Sequence, residues 1–400
     1  MLAFYWDKKG FLEIMAQKIL IIQTAFIGDA LLSIPLLKKL RQSNFDAEIT
    51  YLCRSGLGDL LGRLHLVDHV LEVNKEKAKD FSEMKSQLRA TKWDWIICPH
   101  ESPRSQFLCH SLSAPRKTSY KGLLRGLSFN ECIERPMDLP EALRSLALLQ
   151  NSYPEIKLQF DNFRNDKDSI EEFEYEFSAD LRDELGLKQK TYKNICRVFR
   201  KIPKDLSMEI EYLSQLRQKK LSHLPVEVSE NVRSILNQTE GKKVYLIAPG
   251  SVWETKMWRA DYFRKVIESL TSKNFVVLIG GKPERELCKT LSEGLSNVHN
   301  AAGETSLWES AQLLACADQV LTNDSGAMHL ASLSSAKVLS IFGPTVLEQG
   351  YRPWSNQAST IESSLYCRPC GKHGAKKCPL SHHGCMKLIS SEQVLKLIEV

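Results

Sequence analysis

The pattern that most constrains the fold is a short apolar strand followed by a small-residue turn and a helix, because it occurs in both halves of the sequence. The run Lys18-Ile-Leu-Ile-Ile22 precedes Gly28-Asp29, and a periodic apolar segment then extends from Ala30 to about Arg41. This order predicts a buried strand, a turn and a helix. It restarts at Val244-Tyr-Leu-Ile-Ala248 and again at Phe275-Val-Val-Leu-Ile279. Such alternation is typical of α/β proteins with parallel, doubly wound sheets.

We therefore predict two Rossmann-like domains separated by a segment of different character. The predicted parts are an N-terminal extension at 1–17, a Rossmann-like domain at 18–153, a charged insertion or linker at 154–240 and a second Rossmann-like domain at 241–400. The insertion contains Glu171-Glu-Phe-Glu-Tyr-Glu176 and Arg217-Gln-Lys-Lys220 and has few strand signals, so we predict that it is helical. Where two open sheets face each other, ligands bind in the crevice at the carboxyl ends of the strands.

Composition narrows the class of protein. The chain has 54 lysines and arginines against 48 aspartates and glutamates, which suits anionic ligands or an anionic membrane surface. The sequence has neither an arginine-rich arm nor zinc-finger spacing, so it gives no indication of nucleic-acid binding. The most apolar stretch, Ile19 to Leu37, is interrupted by Asp29 and Pro35, so we expect no membrane span. Because residues 1–17 lack the apolar core of a signal peptide, we expect a cytoplasmic protein.

Asp29 is the candidate general base. It follows Gly28 directly after the first predicted strand, at the mouth of the expected crevice. A carboxylate there can take the proton of an acceptor hydroxyl as that oxygen attacks an anomeric carbon. The alternative is that Asp29 only caps the helix that begins there, since acidic N-caps are common.

The loop after the strand at Val244 has the composition of a phosphate site. Ser251 ends the sequence Pro249-Gly250-Ser251, and Lys256 follows it. Amide, hydroxyl and ammonium groups together can bind a diphosphate and stabilise its departure. The alternative is that Lys256 is an ordinary solvated loop lysine.

A second phosphate site is predicted at Thr322-Asn-Asp-Ser-Gly-Ala-Met-His329, which joins a strand to a helix. Ser325 and Gly326 would present backbone amides at the start of that helix, and His329 would face the same site. Asp324 would repel a diphosphate unless amides hold it or a cation pairs with it. For His329 the alternative is a buried core histidine.

Five further residues carry weaker signals. Glu284 or Glu286, at the start of a helix, is a candidate to bind a ribose diol, although the helix dipole alone favours glutamate there. Gly343 ends the last strand and would let a nucleotide approach closely. Arg104 and Lys117, in the first half, are candidates to bind an acidic acceptor, with a solvated surface loop as the alternative.

Four blocks, taken in order, resemble the heptosyltransferases of glycosyltransferase family 9. The blocks are Ile27-Gly-Asp-Ala-Leu-Leu-Ser-Ile-Pro35, Pro249-Gly-Ser through Lys256-Met-Trp258, Thr322 through His329, and Phe342-Gly-Pro-Thr345. The resemblance extends from about Lys18 to Gln150 and from about Lys242 to Leu388. It excludes the N-terminal extension and the insertion.

The resemblance implies a GT-B fold of two facing Rossmann-like domains with ADP-L-glycero-D-manno-heptose as donor. It implies inverting transfer to a lipid A–Kdo type acceptor of the lipopolysaccharide inner core, with no required cofactor and with peripheral contact at the inner face of the cytoplasmic membrane. Asp29 matches the family's proposed base and Lys256 its donor-phosphate lysine. The diphosphate loop of the family matches Asp324, Ser325, Gly326 and His329, and its ribose-binding glutamate aligns loosely with Glu284 or Glu286.

Two other functions remain open from the sequence. One is a nucleotide-sugar enzyme of the same fold with another donor or acceptor, or an epimerase, because fold alone does not fix chemistry. The other is a non-catalytic sugar-binding or phosphate-binding scaffold in which Asp29 is only a cap.

Four cysteines cluster between residues 367 and 385, at Cys367, Cys370, Cys378 and Cys385. A CxxC pair followed by two more cysteines in a reducing compartment indicates a structural zinc or another thiolate-held metal. The spacing is not that of a standard zinc ribbon. Reduced or disulfide-forming thiols are therefore the alternative.

Overall fold

The structure is a computed structural model that describes residues 16–75, 77–165, 170–176, 193–199, 202–217, 228–334 and 336–398. The predicted N-terminal extension lies outside the described residues except for its last two, as does Arg217-Gln-Lys-Lys220 except for Arg217. The chain forms two compact units. The first unit contains the described residues up to Thr24 together with Leu40–Glu134, and the second contains Ala25–Lys39 together with the chain from Arg135 onward. The predicted domain boundaries stay predictions.

The first unit is built on a six-stranded parallel sheet. Its strands are β1 (Lys18–Ile22), β2 (Glu48–Arg54), β3 (His69–Val73), β4 (Trp95–Cys98), β5 (Arg116–Tyr120) and β6 (Glu131–Ile133), in the order β3-β2-β1-β4-β5-β6. In the register, Ile19 pairs with Ile49 on one side and with Trp95 on the other. Its helices are α3 (Gly58–Arg63), α4 (Ala78–Ala90) and α5 (Pro103–His110), whereas α1 (Ile27–Leu31) and α2 (Ile34–Ser43) as far as Lys39 belong to the second unit.

The second unit contains an eight-stranded sheet in the order β11-β10-β9-β12-β13-β14-β8-β7. Its strands are β7 (Ile170–Glu176), β8 (Lys193–Phe199), β9 (Val244–Ala248), β10 (Phe275–Leu278), β11 (Val298–Asn300), β12 (Gln319–Asn323), β13 (Val338–Phe342) and β14 (Ala358–Ser363). Its helices are α6 (Glu141–Ala147), α7 (Glu155–Asn165), α8 (Glu211–Arg217), α9 (Glu230–Asn237), α10 (Ala260–Thr271), α11 (Arg285–Ser292), α12 (Leu307–Cys316), α13 (Gly326–Ala331), α14 (Gly384–Lys387) and α15 (Ser391–Ile398).

The prediction that the insertion is helical is wrong at two segments, β7 and β8. Both are strands, and they extend the second sheet through antiparallel pairing of β14 with β8 and of β8 with β7, so this sheet is mixed rather than purely parallel. In β7 the glutamates alternate with Phe173 and Tyr175, a period of two that is typical of a strand. Charged residues are common in edge strands because they hinder pairing with other chains.

The parallel part of the second sheet positions the loops of interest. Strands β9, β10, β12 and β13 are neighbours and run in the same direction. The loops after them, which begin at Pro249, Ile279, Asp324 and Gly343, therefore leave the same edge of the sheet. Beneath these loops the core is apolar, with Ile247, Leu278 and Ile341 fully buried.

Candidate functional site

Asp29 lies inside the first turn of α1 and not at its N-cap. Phe26 occupies the N-cap position, and its side chain makes no capping hydrogen bond. Asp29 is therefore not the N-cap residue, although its carboxylate accepts a hydrogen bond from the Phe26 backbone amide in the same turn. Burial raises the pKa of the Asp29 carboxyl above its usual value, against the opposing effects of Lys372 and of the Phe26 amide. A partly accessible carboxylate of this kind has the properties of a proton acceptor.

Lys256 forms a buried ion pair with Asp324. Its Nζ lies 2.5 Å from Asp324 Oδ2, and the two side chains are 11% and 4% exposed. The Thr345 hydroxyl donates to the same carboxylate oxygen at 2.6 Å. Lys256 is therefore not a solvated loop lysine. Lys256 is also the cation that was expected to pair with Asp324, so that this carboxylate does not repel a diphosphate.

The segment Ser325–Gly326 begins helix α13. Ser325 is the N-cap in an extended conformation, and its side chain makes no capping hydrogen bond. Its hydroxyl instead lies 3.2 Å from that of Thr322. The first amides of α13 are thus left without a side-chain cap, which makes them available to an acceptor oxygen of a ligand.

Two glycines allow α1 and α13 to approach each other closely. A Cβ atom on Gly326 would collide with Ile27 Cγ2, and one on Gly28 would lie 2.9 Å from His329 Cδ2. Because both distances are below 3.0 Å, a side chain or a helix would have to shift to accommodate a Cβ, which favours glycine at both positions. This close approach brings Asp29 near the start of α13.

His329 is a buried, neutral histidine. Burial lowers its pKa to about 4, although Asp324 acts in the opposite direction. Its Nδ1 has no hydrogen-bond partner among the described residues. The two interpretations of this residue are therefore compatible, since His329 is buried and also lines the pocket described next.

One pocket of the second unit brings most of the predicted site residues together. The predicted residues that line it are Asp29, Ser251, Lys256, Asp324, Ser325, Gly326 and His329. Proton acceptor, ammonium group and helix start thus share one cavity. Such a combination suits a ligand with a hydroxyl at one end and an anion at the other.

Comparison with known proteins identifies the family. Residues 81–380 match the sequence model of glycosyltransferase family 9 (heptosyltransferase). The chain belongs to glycosyltransferase family 9. The resemblance predicted from the sequence blocks is thereby confirmed.

Individual heptosyltransferases resemble parts or all of the chain. Lipooligosaccharide heptosyltransferase 2 of Campylobacter jejuni is 38% identical over 166 residues, which cover 40% of this chain and 51% of the relative. The chain thus spans about half the length of the curated relatives that it matches.

Two solved Escherichia coli structures show the same fold. ADP-heptose lipopolysaccharide heptosyltransferase II has a TM-score of 0.67 at 19% identity, with 96% of this chain and 98% of that chain covered. A heptosyltransferase solved with ADP has a TM-score of 0.64 at 17% identity, with 96% and 99% covered. The predicted α/β GT-B fold is confirmed.

Three predicted residues of this family 9 chain lie beside the pocket and not in its lining. Glu284 packs against Gly250 and accepts a hydrogen bond from the Gly281 amide at 2.7 Å, so it lies where the loops after β9 and β10 meet. Glu286 is on the exposed side of α11. Of the two glutamates, Glu284 is the better candidate for a ribose diol. Gly343 packs against Met386 instead of opening onto the pocket.

The two predicted acceptor cations belong to the first unit and have partners there. Arg104 donates to the Lys75 carbonyl at 3.0 Å and lies 5.9 Å from the centre of the Phe81 ring. The Lys117 ammonium donates to the carbonyls of Cys109 and Leu112, near the end of α5. Carbonyl groups at a helix end are ordinary partners for lysine, which gives Lys117 a structural role.

The cysteine cluster does not fit a metal site. Within the described part of the chain, which includes all four cysteines, no three His, Cys, Asp or Glu side chains could share a metal ion. Cys367 Sγ lies 3.9 Å from His382 Nε2, and Cys370 Sγ points to the Cys367 carbonyl at 3.3 Å.

Several lining residues were not predicted. They are Phe26, Val252, Trp253, Gln349, Tyr351, Lys372 and His373. Lys372 and His373 come from the cysteine-rich segment, for which the sequence predicted only a metal site or reduced or disulfide-forming thiols. The sequence signal for Lys372 was a lysine that directly follows a glycine, Gly371. This signal indicates a loop but not which site the loop reaches.

Among the described residues, no helix has both the length and the apolar character needed to cross a membrane.

Proposed function

We propose that this chain transfers heptose from ADP-L-glycero-D-manno-heptose to the inner core of lipopolysaccharide, with inversion at the anomeric carbon. The observation that carries the proposal is the single pocket lined by Asp29, by the Lys256–Asp324 pair and by the start of α13. The relatives' names support heptose transfer, and the name of the first solved relative includes ADP-heptose.

In this proposal Asp29 is the general base. The acceptor hydroxyl oxygen forms a bond to the anomeric carbon, its proton moves to the Asp29 carboxylate, and the bond from that carbon to the diphosphate oxygen breaks. Burial strengthens the carboxylate as a base, while Lys372 favours its ionised form. A single displacement needs one base and a stabilised leaving group.

The departing ADP would be held by Lys256, the Ser251 and Ser325 hydroxyls and the Gly326 amide. Asp324 fixes the Lys256 ammonium by direct contact at 2.5 Å. The pair has no net charge, so its contribution is an oriented ammonium that can donate to the β-phosphate. Glu284 is proposed to accept hydrogen bonds from the ribose diol, near the exits of β9 and β10.

Nucleotide binding tests the donor. We expect ADP to raise the melting temperature of the purified protein and UDP to leave it nearly unchanged, since binding to the folded state alone stabilises it. Transfer of heptose from ADP-heptose to a Kdo-bearing lipid A acceptor, followed by mass spectrometry, tests the reaction. A shift with UDP but not ADP would favour another nucleotide-sugar enzyme, and ADP binding without turnover would favour a non-catalytic scaffold.

We also propose that the protein acts from the cytoplasm at the inner face of the membrane, where a lipid A–Kdo acceptor would lie. Four large apolar side chains of the first unit support peripheral contact: Phe107, Leu123, Leu124 and Leu127 are 65–90% exposed. We call them the apolar patch. Gln106 donates to the Leu124 carbonyl at 2.8 Å, which joins α5 to the turn that carries the leucines.

The sequence around the apolar patch has five lysines and arginines and two glutamates between residues 102 and 134. Arg116 pairs with Glu131, Lys121 pairs with Glu134, and Arg125 is buried. The support for membrane contact therefore comes from the exposed apolar side chains and not from charge. Arg104 lies at the edge of this stretch and remains a proposed contact for the acidic acceptor.

Vesicle binding tests the apolar patch. We expect the protein to sediment with phosphatidylglycerol-containing vesicles, and Leu123→Glu/Leu127→Glu to weaken that binding about tenfold or more. Phe45→Glu is the matched control, because Phe45 is 81% exposed in the same unit but outside the patch. Equal vesicle binding by the double variant and wild type would contradict membrane contact. So would light scattering that shows the wild type to self-associate through the patch.

A further inference from the structure

Residues 371–375 form a turn that is fixed to the wall of the pocket, which we call the 371–375 turn. Gln349 Nε2 donates to the Gly371 carbonyl at 2.9 Å, and the Thr255 hydroxyl donates to the Ala375 carbonyl. Gly374 has a φ of +79°, and a Cβ there would lie 2.9 Å from Pro344 Cγ. The turn is therefore held at both ends and packs closely in the middle.

The 371–375 turn brings a lysine into the pocket that contains Asp29. Lys372 and His373 both line the cavity. The His373 ring lies nearly parallel to the Trp253 ring, at 10° and 6.1 Å between centroids. Stacking of this kind helps to fix the direction in which the turn presents its side chains.

Among the described residues that line this pocket, Lys372 is the lysine without a carboxylate partner. The other charged lining residues are Asp29, Lys256 and Asp324, and Lys256 is already paired with Asp324 at 2.5 Å. With the described residues, Lys372 makes no ion pair within 4 Å, and its side chain is exposed at the pocket. Its charge nevertheless acts on Asp29.

An acceptor that carries an acid group meets an electrostatic problem beside Asp29. A general base must be ionised, so an anionic acceptor group close to it is repelled, and more strongly where the surroundings exclude water. A cation between the two groups offsets this repulsion. Lys372 lines the same pocket as Asp29 and its charge acts on the Asp29 carboxyl, so it is placed to do so.

We propose that Lys372 binds an anionic group of the acceptor, a carboxylate or a phosphate, and so holds the acceptor hydroxyl beside Asp29. This inference rests on the proposed function, because it assigns the acceptor to the Asp29 side of the pocket. The ligand contact would be a charge-assisted hydrogen bond from the ammonium to an anionic oxygen. It gives the 371–375 turn a role in acceptor selection.

Equilibrium binding of acceptor to the full-length protein tests the inference. The probes are Kdo-bearing lipid A, the same molecule with its Kdo carboxyls methylated, and the same molecule without its lipid A phosphates, all in neutral detergent micelles. The variants are Lys372→Ala, Lys372→Arg and, as matched control, Lys377→Ala, an exposed lysine of the same segment outside the pocket lining.

We expect Lys372→Ala to raise the acceptor Kd about tenfold, with Lys372→Arg close to wild type and Lys377→Ala unchanged. Removing the acceptor group that Lys372 contacts should weaken acceptor binding to wild type by a similar factor. The same removal should hardly weaken acceptor binding to Lys372→Ala any further. Loss upon methylation identifies a carboxylate, and loss upon removal of phosphate identifies a phosphate. The melting shift with ADP should be the same in all four proteins.

Three results would overturn the inference. The first is an unchanged Kd in Lys372→Ala, and the second is equal sensitivity of this variant and wild type to both acceptor modifications. The third is loss of the ADP shift in Lys372→Ala, which would assign the lysine to the donor. Because binding is measured without turnover, a wild type that binds acceptor but transfers no heptose would count against the proposed function and not against this subsite.

Discussion

Replacing Asp29 with asparagine is expected to lower the rate of heptose transfer by about two to four orders of magnitude while ADP binding is kept. The amide has nearly the same shape as the carboxylate but cannot take a proton. Burial raises the pKa of Asp29, so the lost group is a stronger base than a solvated aspartate. The measurement is single-turnover transfer with saturating donor, combined with the melting shift caused by ADP.

A matched control exists in the same chain. Gly58-Asp59 follows β2 and begins α3, much as Gly28-Asp29 follows β1 and lies in α1. Asp59 pairs with Arg63 at 2.7 Å, and both side chains are 55% exposed, so Asp59→Asn should leave transfer within about twofold of wild type. If Asp29→Asn were as active as Asp59→Asn, Asp29 would not be the base.

The second large effect is expected from Lys256→Met. This change leaves the Asp324 carboxylate buried without its cation, which we expect to cost about 3 to 5 kcal/mol of folding free energy. Transfer should fall by about two to three orders of magnitude, since the ammonium that would stabilise the leaving diphosphate is lost. Urea unfolding measures the first effect and single-turnover transfer the second.

The double variant Lys256→Met/Asp324→Asn separates stability from catalysis. Because it removes both charges, it should recover most of the folding free energy that Lys256→Met loses. Transfer should stay as low as in Lys256→Met. Recovery of transfer together with stability would mean that Lys256 only supports the fold. An unchanged stability in Lys256→Met would contradict the buried ion pair.

The sequence predicted the parts of the fold that depend on local pattern. Val244–Ala248 was predicted at its observed bounds, because a five-residue apolar run between polar residues is short for a helix and consistent with a fully buried strand. The loops after such strands were also predicted as the site, since parallel strands end at one edge. Ser251, Lys256 and Asp324 therefore line one pocket as expected.

Other features depend on tertiary contacts that no local pattern encodes. Asp29 was placed correctly after the strand, but its position within α1 depends on where the helix begins, and helix ends are poorly defined by sequence. Lys372 reaches the pocket only because Thr255 and Gln349 fix the 371–375 turn. The cysteines near it predicted a metal site, although no three described His, Cys, Asp or Glu side chains are placed to share a metal ion.

The strand β7 shows a different reason for error. The charge and weak periodicity of this stretch predicted a helix, and the alternation of its glutamates with Phe173 and Tyr175 was not part of that prediction. At the edge of a sheet only one side of a strand needs a partner, so a charged strand is stable there. The pairing of β7 with β8, and of β8 with β14, is a long-range contact that composition does not reveal.

The most direct test of the account is a crystal structure of the protein with ADP bound. We predict that the diphosphate contacts Lys256 Nζ and the amides at Ser325 and Gly326, with its terminal oxygen directed to the side of the pocket where Asp29 lies. Two results would contradict the account. One is ADP bound outside this pocket, and the other is a diphosphate that Lys256 Nζ does not contact because the ammonium binds only Asp324.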